Sequence, residues 1–363
     1  MTAPENQVPR HRSTPWQSRL ALVYLAAFLA AVLAADWLPL GFSPNELDLD
    51  HIKQAPFQWH LYQGGRPFHW LGTDQLGRDL LANLVFGART AVLVSLPAMV
   101  LATALGLLAG SLAGYFGDKG RTLALGQYVS AGVAACFFIF YGLVANPGAF
   151  IKTNPVYAFL YPAGILAGAL LLYRLLARSL LSVRWLQRSF FLPVDLVVLK
   201  TIELVQSVPR LLLVLCLASF VPPSLGAVVG LCAFTYWPGV ARLVRGEMIR
   251  LKGLPFMEAA SALGLTHRQI ILRHALPNAL GPVIVAFCFG ISNLMALEST
   301  LAFLGIGIPP DVPSWGRAIT GIRLDYGAWW LVFFPGGVLC LTVLAVQAAG
   351  ALLTRKITPS LRG

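Results

Sequence analysis

Charge is what this sequence has least of. Of its 363 residues only 12% are Asp, Glu, Lys or Arg, against 57% hydrophobic. A soluble domain carries about 25% charged residues, so a water-soluble fold of this composition would have too little polar surface to solvate itself. Cysteine is also sparse. The five present (Cys136, Cys216, Cys232, Cys288, Cys340) all fall inside apolar runs, and none has a partner at a disulfide or metal-ligand spacing in a polar loop. They read as small core residues. No GxxxxGK[ST] phosphate loop occurs, so no nucleotide site is expected on this chain. A membrane enzyme is disfavoured as well, because no Ser/His/Asp set, metal motif or carboxylate pair recurs at one membrane depth. Internal repeats and low-complexity segments are not visible.

Long apolar runs are what the sequence does have. They place spans at 20–38, 90–113, 122–145, 156–178, 204–221, 225–245, 281–304 and 328–353. Each is long enough at about 1.5 Å per residue for a hydrocarbon core of about 30 Å. The expected fold class is therefore an all-α membrane protein with about eight transmembrane helices. The first run begins near Leu20 and has no small-residue cleavage site before Asp36, so it reads as a retained span rather than a signal peptide.

Net charge is +12, which in a soluble protein would suggest nucleic acid. Here the basic residues lie between spans, so no nucleic-acid partner is expected and the lipid bilayer is the surrounding medium. With eight crossings both termini share one side. Nineteen of the 27 Lys and Arg residues then fall on that side, seven on the other, and Arg210 inside a span. The bias predicts that both termini are cytoplasmic.

The expected layout follows: a cytoplasmic tail over 1–19, the first span over 20–38, an extracytoplasmic region over 39–89, a multi-span membrane domain over 90–353 and a second cytoplasmic tail over 354–363. The loop 305–327 faces the same side as 39–89. From Thr73 the apolar positions Leu76, Leu80, Leu81, Leu84 and Val85 have helical spacing, with Gln75, Arg78, Asp79 and Asn83 opposite. This predicts an amphipathic helix in the outer interface, serving either packing or substrate contact.

The stretch EAASALGLTHRQIILRHALPN, 258–278, is polar yet lies between two spans. Pro255 suits a first helical position, and Glu258 in the first turn suits the helix dipole. Gly264 supplies a left-handed stop. Thr266 and Gln269 match a capping box that starts a second helix, and Leu276-Pro277-Asn278 closes it. Leu263, Leu265, Ile270 and Ile271 are available as an apolar seam. Such a hairpin is too short to be stable alone; it is either a handle for another protein or an ordered loop on the membrane surface. His267 and His274 are seven apart with no further ligand at metal spacing, so no metal is expected there.

A resemblance joins these features. Glu258-Ala259-Ala260, then Gly264, then His274-Ala275-Leu276-Pro277 resembles the EAA signature of binding-protein-dependent ABC importer permeases. LGTDQLGRD (71–79), GART (87–90), AGYFGDKGR (113–121), QSVPRLLL (206–213), LESTLAFLGIG (297–307) and PSWGRAI (313–319) occur in the same order as in the C-type subunit of the dipeptide/oligopeptide/nickel group. The resemblance covers about 70–120 and 195–360. Residues 122–194 depart from it and read as an inserted pair of spans with a basic cytoplasmic segment.

The resemblance implies a type I ABC importer transmembrane fold, a six-helix core plus the inserted pair, in a bacterial inner membrane. It implies a homologous second permease, one or two ATPase subunits and an extracytoplasmic substrate-binding protein as partners. No cofactor would bind this chain, with ATP and Mg held by the ATPase. The hairpin within 247–280 would dock in a groove of that ATPase through Glu258, Ala259, Ala260, Gly264, Leu276 and Pro277, with Arg268 and Arg273 at the rim. The substrate would be di- or oligopeptides or similar small solutes.

Three residues are candidates for the translocation path or gate. Glu298 is an intramembrane carboxylate that either lines a path or pairs with Asn293 or Arg210. Pro209 marks a kink, serving as a hinge or as packing, and Arg210 follows it. Glu203 is placed to share a helix face with Arg210. The competing class is a self-contained secondary transporter or channel. It would normally show acid or His relays, or interrupted helices in matched halves.

Overall fold

The computed structural model describes residues 15–58, 68–118, 122–139, 141, 155–187, 189–191 and 193–357. The chain is helical almost throughout. Among the described residues the only strands are β1 (Thr122–Ala124) and β2 (Ser189–Phe191), a short antiparallel ladder that pairs Leu123 with Phe190.

Every expected span meets a helix: α1 (Pro15–Leu33), α2 (Leu80–Phe116), α3 (Leu125–Ile139), α4 (Pro155–Leu180), α5 and α6 (Val194–Gln206 and Arg210–Ala218), α7 (Leu225–Lys252), α10 (Leu276–Phe303) and α12 (Trp330–Ile357). Two short helices, α8 (Pro255–Ala262) and α9 (His267–Gln269), make up the hairpin, and α11 (Trp315–Thr320) lies in the loop before α12. Among the described residues, four helices have the length and apolarity to cross a bilayer, and a fifth crossing is available if α5 and α6 count as one. The chain is thus a multi-pass helical membrane protein.

Two expectations are corrected here. The span drawn at 204–221 is broken, because α5 and α6 meet at 80° across Ser207–Pro209. Pro209 has no N–H to donate and stands as the N-cap of α6, so one helix cannot continue into the other. Arg210 is therefore the first residue of a new helix and not a charge in mid-span. The separate interfacial helix from Thr73 is also not found. Gly72 and Gly77 adopt left-handed φ values of 82° and 75°, Thr73 bridges Asp79, and the helix starts only at Leu80, running on unbroken through the second span.

Contacts divide the chain into two units. One comprises residues 1–99 and 284–363, the other 100–283. The core of the first unit gathers Phe28, Val32, Leu84, Met295, Trp315, Trp330 and Leu331. Its two buried indoles find backbone acceptors, as buried tryptophans generally must. Trp315 Nε1 donates to the carbonyl of Leu84 at 2.9 Å and Trp330 Nε1 to that of Thr73 at 3.1 Å. Tyr24 on α1 is 2.7 Å from Thr342 Oγ1 on α12, tying the first helix to the last.

The second unit is built on a close approach of α2 and α7. Gly106, Gly110 and Gly114 line one face of α2 at four-residue spacing. A Cβ at Gly110 would stand 2.4 Å from the Ala241 carbonyl oxygen, and one at Gly114 would stand 2.6 Å from Met248 Cβ. Small residues allow this because helix association inside a bilayer relies on backbone proximity and dispersion. In the same unit α3 packs on α4, and β1 and β2 tie the chain together at their base. Within the segment 122–194 read as inserted, the described residues are thus two packed helices on a two-stranded stem.

Candidate functional site

The hairpin between α7 and α10 has the local structure that its sequence predicts, up to its last turn. Pro255 is at the start of α8 and Glu258 in its first turn. Gly264 has φ 76°. The Leu265 N–H reaches back to the Ala260 carbonyl at 3.3 Å, and the Gly264 N–H to that of Ser261 at 3.0 Å. These two bonds form a Schellman stop, in which glycine occupies the left-handed position. Thr266 and Gln269 form the capping box in both directions.

The second arm does not close at Pro277. A six-residue π-helical turn, Ile270–Ala275, leads directly into α10, so the helical path runs from His267 to Phe303 without a stop. Pro277 lacks an N–H and its ring crowds the carbonyl four residues earlier. The wider turn just before it takes up that misfit, with the Leu276 N–H bonded to the Ile271 carbonyl. Asn278 Nδ2 donates to the His274 carbonyl at 2.6 Å.

Burial sorts the expected coupling residues. Glu258, Ala259, Gly264, Arg268, Arg273 and Pro277 are exposed, Leu276 is half-buried and Ala260 is buried. The apolar seam differs from the expected one. Ile270 and Ile271 are in it, but Met257, Ala260 and Ala275 complete it, while Leu263 is 81% exposed. Leu263 follows the α8 arm into the turn, where it points away from the face shared by Met257 and Ala260. The hairpin therefore presents a leucine, a small alanine and a carboxylate to its surroundings.

Beside Glu258 lies a cleft of about 390 Å³ lined by Tyr115, Phe116, Lys252, Met257, Glu258, Ser261, His267 and Ile270. Tyr115 Oη is 2.8 Å from His267 Nδ1, and the rings of Tyr115 and Phe116 meet His267 edge-on. Lys252 Nζ donates to the Tyr115 carbonyl at 3.0 Å. The end of α2, in the AGYFGD segment, is thereby fixed to the end of α7 and to the second arm of the hairpin. Below it, Arg245 on α7 forms a paired ion contact with Asp195 at the start of α5, and Asp118 accepts the Leu196 N–H at 2.9 Å. Sequence reasoning missed Tyr115, Lys252 and the Arg245–Asp195 pair. The signal was present in an aromatic pair ending a glycine-spaced helix, but nothing local named its partners.

Glu298 and Arg210 each have partners of their own. Glu298 is 1% exposed, and its partners are neither Asn293 nor Arg210. Ser314 Oγ donates to Oε1 at 2.8 Å and Ser299 Oγ to Oε2 at 3.2 Å. The carboxylate thus pins the loop before α11 to α10. Close packing supports the pin, since a Cβ at Gly316 would stand 1.8 Å from the Ser299 carbonyl oxygen. The Arg210 guanidinium instead lies 3.9 Å from the Tyr236 ring centre, a cation–π contact. Glu203 pairs with Lys200 at 2.7 Å and not with Arg210.

Known proteins match along most of the chain. Residues 161–359 match the family described as binding-protein-dependent transport system inner membrane component. That match begins inside 122–194 and takes in α4 from residue 161 onward. A protein of Brucella suis biovar 1 named as a peptide permease is 28% identical over 335 residues, covering 91% of this chain and 82% of that protein. The oligopeptide transport system permease protein OppC of Bacillus subtilis is 25% identical over 347 residues, covering 95% of this chain and 87% of OppC. An inward-facing structure of the MetNI methionine ABC transporter aligns at 19% identity over 64% of this chain and 93% of its own, with a TM-score of 0.37. The chain belongs to the binding-protein-dependent transport system inner membrane components, as a permease of an ABC importer.

Proposed function

We propose that this chain is one of two homologous permease subunits of an inner-membrane importer, that it moves peptides handed over by an extracytoplasmic binding protein, and that ATP bound with Mg to separate ATPase subunits drives it through the α8–α9 hairpin. Both termini lie in the cytoplasm on this reading, with 39–89 and 305–327 facing the binding protein. The observation that carries it is the hairpin itself. Two short helices locked by a Schellman stop and a capping box expose Glu258, Ala259 and Leu263. A hairpin this short draws little stability from its own helices, and the exposed Glu258, Ala259 and Leu263 suit a partner groove. Arg268 and Arg273 are exposed alongside and suit the rim of such a contact. The names of the relatives support a peptide substrate.

The first test is composition. The chain is purified under mild conditions from its native membrane and its companions are identified. An ATPase subunit and a second permease are expected at stoichiometric amounts. Their absence, with solute uptake persisting on an ion gradient alone, would establish a self-contained secondary transporter instead.

A further inference from the structure

We propose that Asp48, His51 and His69, on the loops before α2, form a binding site for a divalent transition metal, zinc above all. One oxygen, one nitrogen from His51 and one from His69 lie within 4.8 Å of one another. They converge on a single atom: Asp48 Oδ2 is 2.8 Å from His51 Nδ1 and 3.4 Å from His69 Nε2. Ligands held at about 2.0–2.1 Å around a tetrahedral zinc are separated by about 3.3 Å, so the two spacings bracket the edge of such a site. The longer one exceeds the usual hydrogen-bond range of about 2.7–3.2 Å, yet it suits two ligands of one ion.

The second observation is the support behind His69. Its Nδ1 is 2.9 Å from Asp79 Oδ1, and both side chains are buried. A carboxylate on the far nitrogen fixes the tautomer and leaves Nε2 facing the would-be ion, the usual outer arrangement around a metal-bound histidine. Asp79 is itself held, since its Oδ2 accepts the Ala82 N–H at 2.7 Å in the first turn of α2. Phe42 stacks on the His69 ring at 3.9 Å. Thr73 Oγ1 accepts the Gln54 N–H at 2.8 Å and donates to the His51 carbonyl. At Gly77 a Cβ would fall 2.0 Å from the Asp48 carbonyl oxygen, so the two loops meet at backbone distance.

The donor set selects the ion. Two imidazoles and a carboxylate suit zinc and its first-row neighbours, whereas magnesium and calcium favour all-oxygen shells. Two carboxylates, Asp48 and Asp79, match a divalent charge. Asp48 and His51 are half-buried, which gives the ion an approach from solvent and water a place in its shell. Bound there, it would clamp 48–51 to 69–79 at the root of α2. The pattern in the sequence is Asp48-x-x-His51 on a 3₁₀ turn followed by His69.

The test uses the full chain in its importer complex, stripped with a chelator and titrated with Zn2+ against a competing dye. One zinc per chain is expected, with a rise in melting temperature. His51→Ala removes a half-buried ligand, so the fold should survive while zinc affinity falls about ten-fold or more and the melting shift disappears. Asp79→Asn keeps all three ligands and should weaken binding by about 10–100-fold. Co2+ in the stripped protein should give the visible absorption of a tetrahedral site. Zinc binding that His51→Ala leaves unchanged, or a wild-type complex with neither a zinc-dependent melting shift nor the cobalt spectrum, would overturn the proposal and leave a purely hydrogen-bonded network.

Discussion

Glu298 shows how much a single side chain's partners decide about its role. A carboxylate inside a span reads first as part of a path, because ionisable groups at membrane depth are costly and usually functional. Here two serine hydroxyls satisfy it in a closed space, and the bond from Ser314 holds the loop ahead of α11. Removing it leaves a buried hydroxyl without an acceptor, a loss of about 1–3 kcal/mol. Glu298→Ala is thus expected to lower the melting temperature of the solubilised complex, while Glu298→Gln, which keeps an acceptor, loses less. Equal melting for all three forms would remove the structural role. The neighbouring candidates separate in the same way. Arg210 rests on Tyr236 and Glu203 on Lys200, so the pairing suggested by their seven-residue spacing gave way to nearer partners.

Among the elements, the hairpin was the most legible in sequence and its exit the least. The turn around Gly264, Thr266 and Gln269 is held by bonds between residues three to five positions apart, so their effect is written locally. Pro277 also has a local effect, but a stop and a widened turn satisfy its missing N–H equally well. The structure takes the π turn, a choice the residues around Pro277 do not spell out. The apolar seam was half legible: Ile270 and Ile271 were foreseen, whereas Met257 and Ala275 displaced Leu263 because the face used depends on how the two arms cross. Pro209 announced a discontinuity but not its 80° size. Of the residues with helical spacing only Leu76 lies in the loop at 69–79, where Gly72 and Gly77 turn the backbone left-handed, and the rest belong to α2.

The α2–α7 contact tests packing at this scale. Gly110→Val places a branched side chain where even a Cβ would stand 2.4 Å from the Ala241 carbonyl oxygen. Overpacking of this kind costs about 1–3 kcal/mol or more. The variant should insert in the membrane yet melt earlier and lose uptake. Gly226→Ala, at a position on α7 with open space around it, is the control expected to behave as wild type. Equal melting of Gly110→Val and wild type would show that the two helices do not rely on that approach.

At the scale of the whole molecule, composition alone set the class. So little charge and so many apolar runs leave a helical membrane protein, and the match over 161–359 makes it an importer permease. What composition could not supply is the source of energy, since the sequence has no phosphate loop. On the proposed function, the exposed hairpin answers that need by offering another protein a grip.

The most direct measurement is ATP-driven uptake of a labelled peptide into proteoliposomes holding the complete importer, with wild type compared against Glu258→Lys combined with Gly264→Pro. The double variant reverses an exposed charge and forbids the φ of 76° that the turn requires. It is expected to reach the membrane at wild-type levels, to lose the ATPase subunit on purification and to show no ATP-dependent uptake. Wild-type uptake by that variant, with the ATPase still bound, would contradict the coupling role of the hairpin.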